Sequence, residues 1–252
     1  MLGNFFNSEY HSMQLRIERR FARSYSFSAS YALSKNLTNQ PENTTGLISN
    51  IPNPFDLDSL WGPSFLDRRH VFAASWVWSP RWNIQNAFLG ALANDWTITG
   101  FHRLQSGSPL VFTMGTDVAQ NGILQPNGQY ALLKPGMTAD DVRRQHADTS
   151  DMIAQYFNTA AFVPLNDVPR GIYGDAKRGL IYGPGDSVTD LALLRTIDLH
   201  GDVRVQVRGE FFNLFNHVNF GNPNTTLSST TFGRITSAGA GRVIQLAAKL
   251  IW

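Results

Sequence analysis

Two short stretches set reactive side chains close together. Asp67-Arg68-Arg69-His70 brings an acid near an imidazole, the makings of an acid–histidine pair or, with His102, of half a metal site. Gly185-Asp186-Ser187 offers a hydroxyl that one of six histidines could activate for ester hydrolysis. A lipase serine, however, needs a sharp strand-to-helix turn to expose its hydroxyl, and the residues after Ser187 alternate as a strand. No second ligand stands at a recognised metal spacing. Asp56, Asp58 and Asp67 invite a calcium reading, yet the ordered spacing of a calcium loop is absent. From these residues no catalytic group, cofactor site or metal site is assigned, and the chain reads as a protein that is not an enzyme.

A different row is more informative. Arg204, Gln206, Arg208 and Glu210 alternate with Val203, Val205, Val207 and, further on, Phe211. Period two is the signature of a strand with one polar and one apolar face. The same pattern recurs along the chain. Met13, Leu15, Ile17 and Phe21 alternate with Gln14, Arg16, Glu18 and Arg20, and a three-residue turn, Ala22 to Ser24, leads to Tyr25, Phe27, Ala29, Tyr31 and Leu33 set against serines. Phe72, Ala74, Trp76 and Trp78 share a face, a strand is expected from Asp95 to about Gln105, and another is expected to begin at Leu110. "SVTDLALLRTIDL" passes through "HGD" into the Val203 strand, and the chain closes on Ile244, Leu246, Ala248, Leu250 and Trp252. About eight strands result. Between them lie long Gly, Pro, Asp and Asn-rich loops at about 36–67 and 115–185, the second with a short helix near "TADDVRRQHAD".

Composition agrees with strands and turns: charged residues are 16% and aromatics 12% of 252 residues. A net charge of +2, with arginines spread along the strands, excludes a nucleic-acid footprint. There is no cysteine, hence neither a disulfide scaffold nor a thiolate metal site. No apolar run reaches the ~18 residues of a membrane helix, and the amino terminus lacks a signal-peptide core.

Alternation alone does not separate a soluble sandwich from a membrane barrel, but three features do. The strands run about ten residues, enough for a tilted strand to cross a bilayer. Tyr25, Trp76, Trp78, Trp96 and Trp252 gather near strand ends, where an amphipathic ring suits the headgroup region. Very short turns alternate with very long loops, the asymmetry of outer-membrane barrels.

The segment "EFFNLFNHVNFGNPNTTLSSTTFGRITSAGAGRVIQLAAKLIW", Glu210 to Trp252, resembles the carboxyl-terminal end of TonB-dependent outer-membrane receptors of the Oar-like, acidobacterial carboxypeptidase-regulatory type. "YHSMQLRIERRFARSYSFSASYALSKNL", "DRRHVFAASWVW", "WTITGFHRLQSGSPLVF", "FNTAAFVP" and "GDAKRGLIYGPG" match in family order. The resemblance implies an all-β, antiparallel transmembrane barrel of about 22 strands whose lumen holds a plug. This chain has room for about eight to ten of those strands, so residues 1–252 are expected to be the carboxyl-terminal barrel segment, without plug domain, TonB box or signal peptide.

On that reading Val203, Val205, Val207, Ile244, Leu246 and Leu250 face lipid, Arg204, Gln206, Arg208 and Glu210 face the lumen, and the long loops lie outside the cell. The resemblance also implies that Trp252 is a terminal aromatic read by the barrel-assembly machinery. The expected partners are outer-membrane lipid, that machinery, a TonB system reached only through parts outside this chain, and an unidentified small-molecule, saccharide or peptide substrate. The work is substrate capture and energised uptake in the cell outer membrane. Two rivals predict different outcomes: a secreted β-sandwich binding carbohydrate or peptide through Trp76, Trp78 and Trp96 folds without detergent, and an esterase built on Ser187 hydrolyses simple esters.

Overall fold

Alternating sequences pair into sheets because each strand can then bury or expose a whole row of side chains at once. In this chain they pair with their sequence neighbours throughout. The structure, a computed structural model, describes residues 6–22, 24–40, 53, 56–122 and 129–252. Its strands are β1 (Ser8–Ala22), β2 (Tyr25–Thr38), β3 (Gly62–Pro63), β4 (His70–Trp78), β5 (Trp96–Gln105), β6 (Asp186–His200), β7 (Val203–Phe212) and β8 (Val243–Ile251). They form one antiparallel sheet in the order β1-β2-β4-β5-β6-β7-β8, with the two-residue β3 beside β2. The all-β antiparallel class expected from periodicity is therefore the observed one. Among the described residues no ladder joins β1 to β8, so these strands end the path.

The connections differ sharply at the two ends of the sheet. At one end β1 meets β2 through Ala22 opposite Tyr25, and β6 meets β7 through Gly201 and Asp202, Gly201 taking a positive φ of 61°. At this turn end the β4–β5 connection is longer than a tight turn, and it carries α1 (Ala87–Ala93). The other end collects the chain between β2 and β4, between β5 and β6, and between β7 and β8. The expected loop at about 36–67 starts later, because β2 continues to Thr38, and most of its residues 41–55 lie outside the described ones.

The long β5–β6 connection is where expectation and structure part. No strand begins at Leu110; isolated bridges at Pro109 and Thr113 replace it, and the chain folds into a cap with α2 (Ala139–Val142) and α3 (Thr149–Ala154). The short helix anticipated near "TADDVRRQHAD" is α2. Leu110, Phe112, Leu133, Val142, Phe157 and Phe162 are buried together, and Phe232 of the β7–β8 connection packs against them. The rings of Phe112 and Phe157 meet edge to face at 4.9 Å, and Phe232 approaches Phe157 at 5.1 Å. Such pairs add to plain burial because ring edges face ring faces. The apolar core of the described residues thus lies in the cap, not between layers of sheet.

Asparagines hold the cap to the sheet. In "FFNLFNHVNFGNPN" they recur at 213, 216, 219, 222 and 224, and each side chain bonds chain outside its own residue. Asn213 takes a positive φ of 52°, accepts from the His217 N–H at 2.9 Å and donates to the His217 carbonyl at 2.9 Å. Asn216 accepts from the Arg242 N–H, Asn222 donates to the Ser108 hydroxyl, and Asn224 donates to Ser229 and Thr231. A primary amide carries the donor and acceptor of a peptide group, so it can stand in for a missing strand neighbour.

A second strap is "GDAKRGLIYGPG". Arg178 is buried and donates to the carbonyls of Thr38, Gln40 and Leu60, pinning the β2–β4 connection to the cap. Asp175 accepts from the Leu133 N–H at 2.8 Å. Gly174 lies so close to the next segment that an added Cβ would sit 1.9 Å from the Tyr130 carbonyl oxygen, which no side chain tolerates.

Candidate functional site

The register sorts every strand into two faces. Across β7 and β8, Val205 lies opposite Leu250, Val207 opposite Ala248, Gly209 opposite Leu246 and Phe211 opposite Ile244. Alternation puts Val203 with them. The same face continues through Leu193 and Ile98 to Trp78, then through Phe72 and Tyr31 to Leu15. It is mostly apolar across the seven long strands, with Arg19 beside Phe27, Arg195 between Trp96 and Val207, and His102 beside Ala74 among its polar members, and no second sheet covers it among the described residues. Gly100 leaves room on this face for the Trp76 indole, since an added Cβ would lie 2.3 Å from that ring. A crevice of about 560 Å³ surrounds Gly209, lined by Trp96, Leu193, Val207, Phe211 and Leu246.

The opposite face carries most of the charges. Arg204, Gln206, Arg208 and Glu210 stand opposite Ile251, Lys249, Ala247 and Gln245. Arg208 pairs with Glu210 at 2.7 Å and, on β1, Arg16 pairs with Glu18 at 2.9 Å. Serines of β2 lie between, with Ser30 opposite Arg16 and Ser28 opposite Glu18. This face is suited to water and polar solutes, with its ion pairs exposed and individually weak.

Aromatic rings mark the turn end of the apolar face. Trp78 meets Trp82 edge to face at 6.2 Å, and the Arg195 guanidinium lies 5.5 Å from the Trp96 ring. Arg19 lies 4.0 Å over the Tyr25 ring. Trp252 follows β8 at this same end and is 86% exposed. At the long-loop end, a cleft of about 480 Å³ in the cap is lined by Asp140, Arg143, Arg144, His146, Tyr156 and Tyr182. Its arginines are committed to carboxylates: Arg143 to Asp140, and Arg144 to Asp151 at 2.6 Å. The Arg144 bond, with the Ala147 N–H, holds the Asp151 carboxyl below the usual range. Hydrogen bonds from the Thr138 N–H and hydroxyl do the same for Asp141. Burial pushes the Tyr156 and Tyr182 phenols up, and in Tyr182 the bond to Asp67 adds to it. With its cations paired and its phenols protonated, the cleft presents hydrogen-bonding groups and the His146–Tyr156 rings, 5.6 Å apart.

The reactive stretches take structural places. Asp67 is 1% exposed; it accepts from the Asn36 N–H at 2.7 Å and from the Tyr182 hydroxyl at 2.9 Å, so it ties the end of β2 to the cap. His70 Nδ1 bonds the Tyr31 hydroxyl and His102 Nδ1 bonds the Thr189 hydroxyl, each at 2.7 Å. Ser187 lies within β6 opposite Leu104, not at a strand-to-helix turn. It shares a crevice of about 490 Å³ with Tyr31, His70 and His217. Asp56 caps its own turn by accepting from the Ser59 N–H, far in role from Asp67. Among the described residues no group of three His, Cys, Asp or Glu side chains is placed to hold a metal ion.

Sequence reasoning missed Arg178 and the cap cleft. The one local signal was "GDAKRGLIYGPG" itself, whose glycines mark places where chain touches chain. No helix is long and apolar enough to cross a membrane, which says nothing of crossing by strands. A family model described as an outer membrane beta barrel domain matches residues 1–245. No curated protein matches the chain.

Proposed function

Because the chain belongs to the outer membrane beta barrel domain family and resides in the outer membrane, we propose that it forms barrel wall of a TonB-dependent receptor of the Oar-like type, serving substrate capture and energised uptake. The observation that carries this reading is the pairing of one predominantly apolar face, its arginines Arg19 and Arg195 lying by aromatic rings at the turn end, with a charged opposite face, and a folded cap at the other end. On this reading the apolar face, with Val203, Val205, Val207, Ile244, Leu246 and Leu250, meets lipid. Arg204, Gln206, Arg208 and Glu210 line a lumen filled by a plug. The cap stands outside the cell, and its cleft takes a saccharide or peptide rather than an anion, since its arginines already hold carboxylates. The turn end is periplasmic, where Trp252 is read by the barrel-assembly machinery. In hydrocarbon the free edges of β1 and β8 require partner strands, because each unpaired backbone group there costs several kcal/mol. No step of chemistry is assigned to the chain.

Photo-crosslinking residues at Gln206 and Leu246, introduced into the protein as its own cell makes it, test the reading. Gln206 is expected to capture a plug polypeptide with a yield that changes when TonB is depleted, and Leu246 to capture lipid. A folded protein whose Gln206 probe captures no polypeptide with or without TonB overturns the receptor assignment.

A further inference from the structure

The β4–β5 connection at the turn end carries no charged residue from Trp82 to Asn94. Within it α1, "AFLGALA", leaves Phe88 77%, Leu89 52% and Leu92 55% exposed, and Trp82 just before it is 51% exposed. A seven-residue helix does not hold itself together in water, and an apolar one has no reason to stay there. It is capped at both ends: Asn86 accepts from the Leu89 N–H at 3.0 Å, and the Asn94 N–H donates to the Gly90 carbonyl at 3.0 Å. Asn94 also clasps the backbone of Trp82, accepting from its N–H at 2.7 Å.

What α1 is anchored to decides its surroundings. Trp96 Nε1 donates to the Leu92 carbonyl at 2.9 Å, and Trp82 packs on Trp78. Trp78 and Trp96 both belong to the apolar face: Trp78 lies opposite Ile98, and Trp96 lines the crevice with Leu193 and Val207. The helix is therefore fastened to the side of the sheet that carries Leu246 and Phe211, not to the charged side. Arg81 and Asp95 bound the connection, and the charge nearest on the sheet is Arg195, which stands opposite Trp96 with its guanidinium by that ring.

We propose that α1 is an in-plane membrane segment, lying in the periplasmic leaflet of the outer membrane with Trp82, Phe88, Leu89 and Leu92 among the upper acyl carbons. The occupant of its apolar surface is phospholipid, because that surface is continuous with the face assigned to lipid in the reading above. This inference rests on the lipid-facing and periplasmic assignments above. Apolar area buried at an interface is what holds a segment there, and the exposed Phe88, Leu89 and Leu92 supply it, so α1 fixes the depth of the barrel wall at its turn end.

The chain has no cysteine, so single thiols can be introduced at will. Phe88→Cys, Leu92→Cys and Leu246→Cys, made in the whole protein as its cell inserts it, would carry an environment-sensitive fluorophore. The proteins would then be reconstituted in phosphatidylethanolamine–phosphatidylglycerol vesicles. Labels at 88 and 92 are expected to lose emission to a lipid carrying its nitroxide quencher near the headgroup and to resist aqueous iodide, while the label at 246 responds to a quencher deep in the acyl chain. Iodide quenching at 88 and 92 with lipid quenching retained at 246 overturns the inference and leaves the barrel reading intact. Protection from both quenchers at 88 and 92 means a protein covers α1 and also overturns it. Iodide quenching at 246 as well would sink the lipid-face assignment itself.

Discussion

Asn219 holds the backbone of Ser187 from both sides: its Oδ1 accepts from the Ser187 N–H at 2.7 Å, and its Nδ2 donates to the Ser187 carbonyl at 2.9 Å. Ser187 is near the first residue of a long strand, and Asn219 sits in the connection leaving the next one. One amide thereby continues the ladder where no strand is present. Of the histidines and serines that looked reactive in sequence, this serine is fixed through its backbone.

Asn219→Ala removes both bonds while leaving the Ser187 peptide groups half-buried. With net values of about 0.5–1.5 kcal/mol for each hydrogen bond, the expected loss is about 1–3 kcal/mol. Urea unfolding of the barrel in vesicles measures it, and limited proteolysis should show new cuts between β7 and β8. Unchanged unfolding would mean that the clasp follows the fold without supporting it.

Phe157→Ala empties the centre of the cap, where Phe112, Phe162 and Phe232 all meet the ring. Buried Phe-to-Ala changes cost about 3–5 kcal/mol. The cap should become protease-sensitive between β5 and β6 while far-UV circular dichroism keeps the sheet signal. Loss of both together would show that the sheet depends on the cap for its own stability.

Acid should loosen the cap. Asp151, held down chiefly by the Arg144 hydrogen bond, and Asp141, held down by Thr138, both lie below the ordinary aspartate value of 3.8. A depressed carboxylate contributes stability that is complete above its unfolded value and disappears as pH falls through its lower folded value. Pepsin cleavage of the cap should therefore rise from about pH 4 downward. Asp151→Asn should flatten that dependence, and an unaltered profile in the variant would contradict it.

Leu246→Arg places a charge on the apolar face, and Gln245→Arg places one on its opposite. Near the middle of a bilayer the first should cost about 2–4 kcal/mol, read from unfolding in vesicles, and should lower the amount of folded protein in the outer membrane. The second should be near neutral. Equal effects at the two positions would contradict the division of faces.

How much was legible follows from how local each signal is. Val203 to Phe211 declares its strand within a few residues, and the register then fixes which rows share a face. The cap core is made of Phe112, Phe157, Phe162 and Phe232, which are scattered through irregular chain and carry no period. "PLVFT" has a strand's composition, but Leu110 and Phe112 turn into the cap core, where packing overrides propensity. α1 is too short for a helical period to show in "AFLGALA". In the candidate site, the charged and apolar rows were visible from alternation. The cleft was not, because Arg144 and Tyr182 are brought to it only by the folding of the cap.

Arg178 finally joins parts of the chain that lie far apart in sequence. Its acceptors lie 140, 138 and 118 residues earlier in the chain, at Thr38, Gln40 and Leu60. Closing a loop of that length costs more chain entropy than the nearer strand pairings do. The guanidinium meets those carbonyls only where the β2–β4 connection and the cap lie side by side, so one side chain depends on the docking of both. A barrel wall misregistered anywhere along that path would leave this one cation without its seat, and the error would be exposed at the loop end as an unlatched cap.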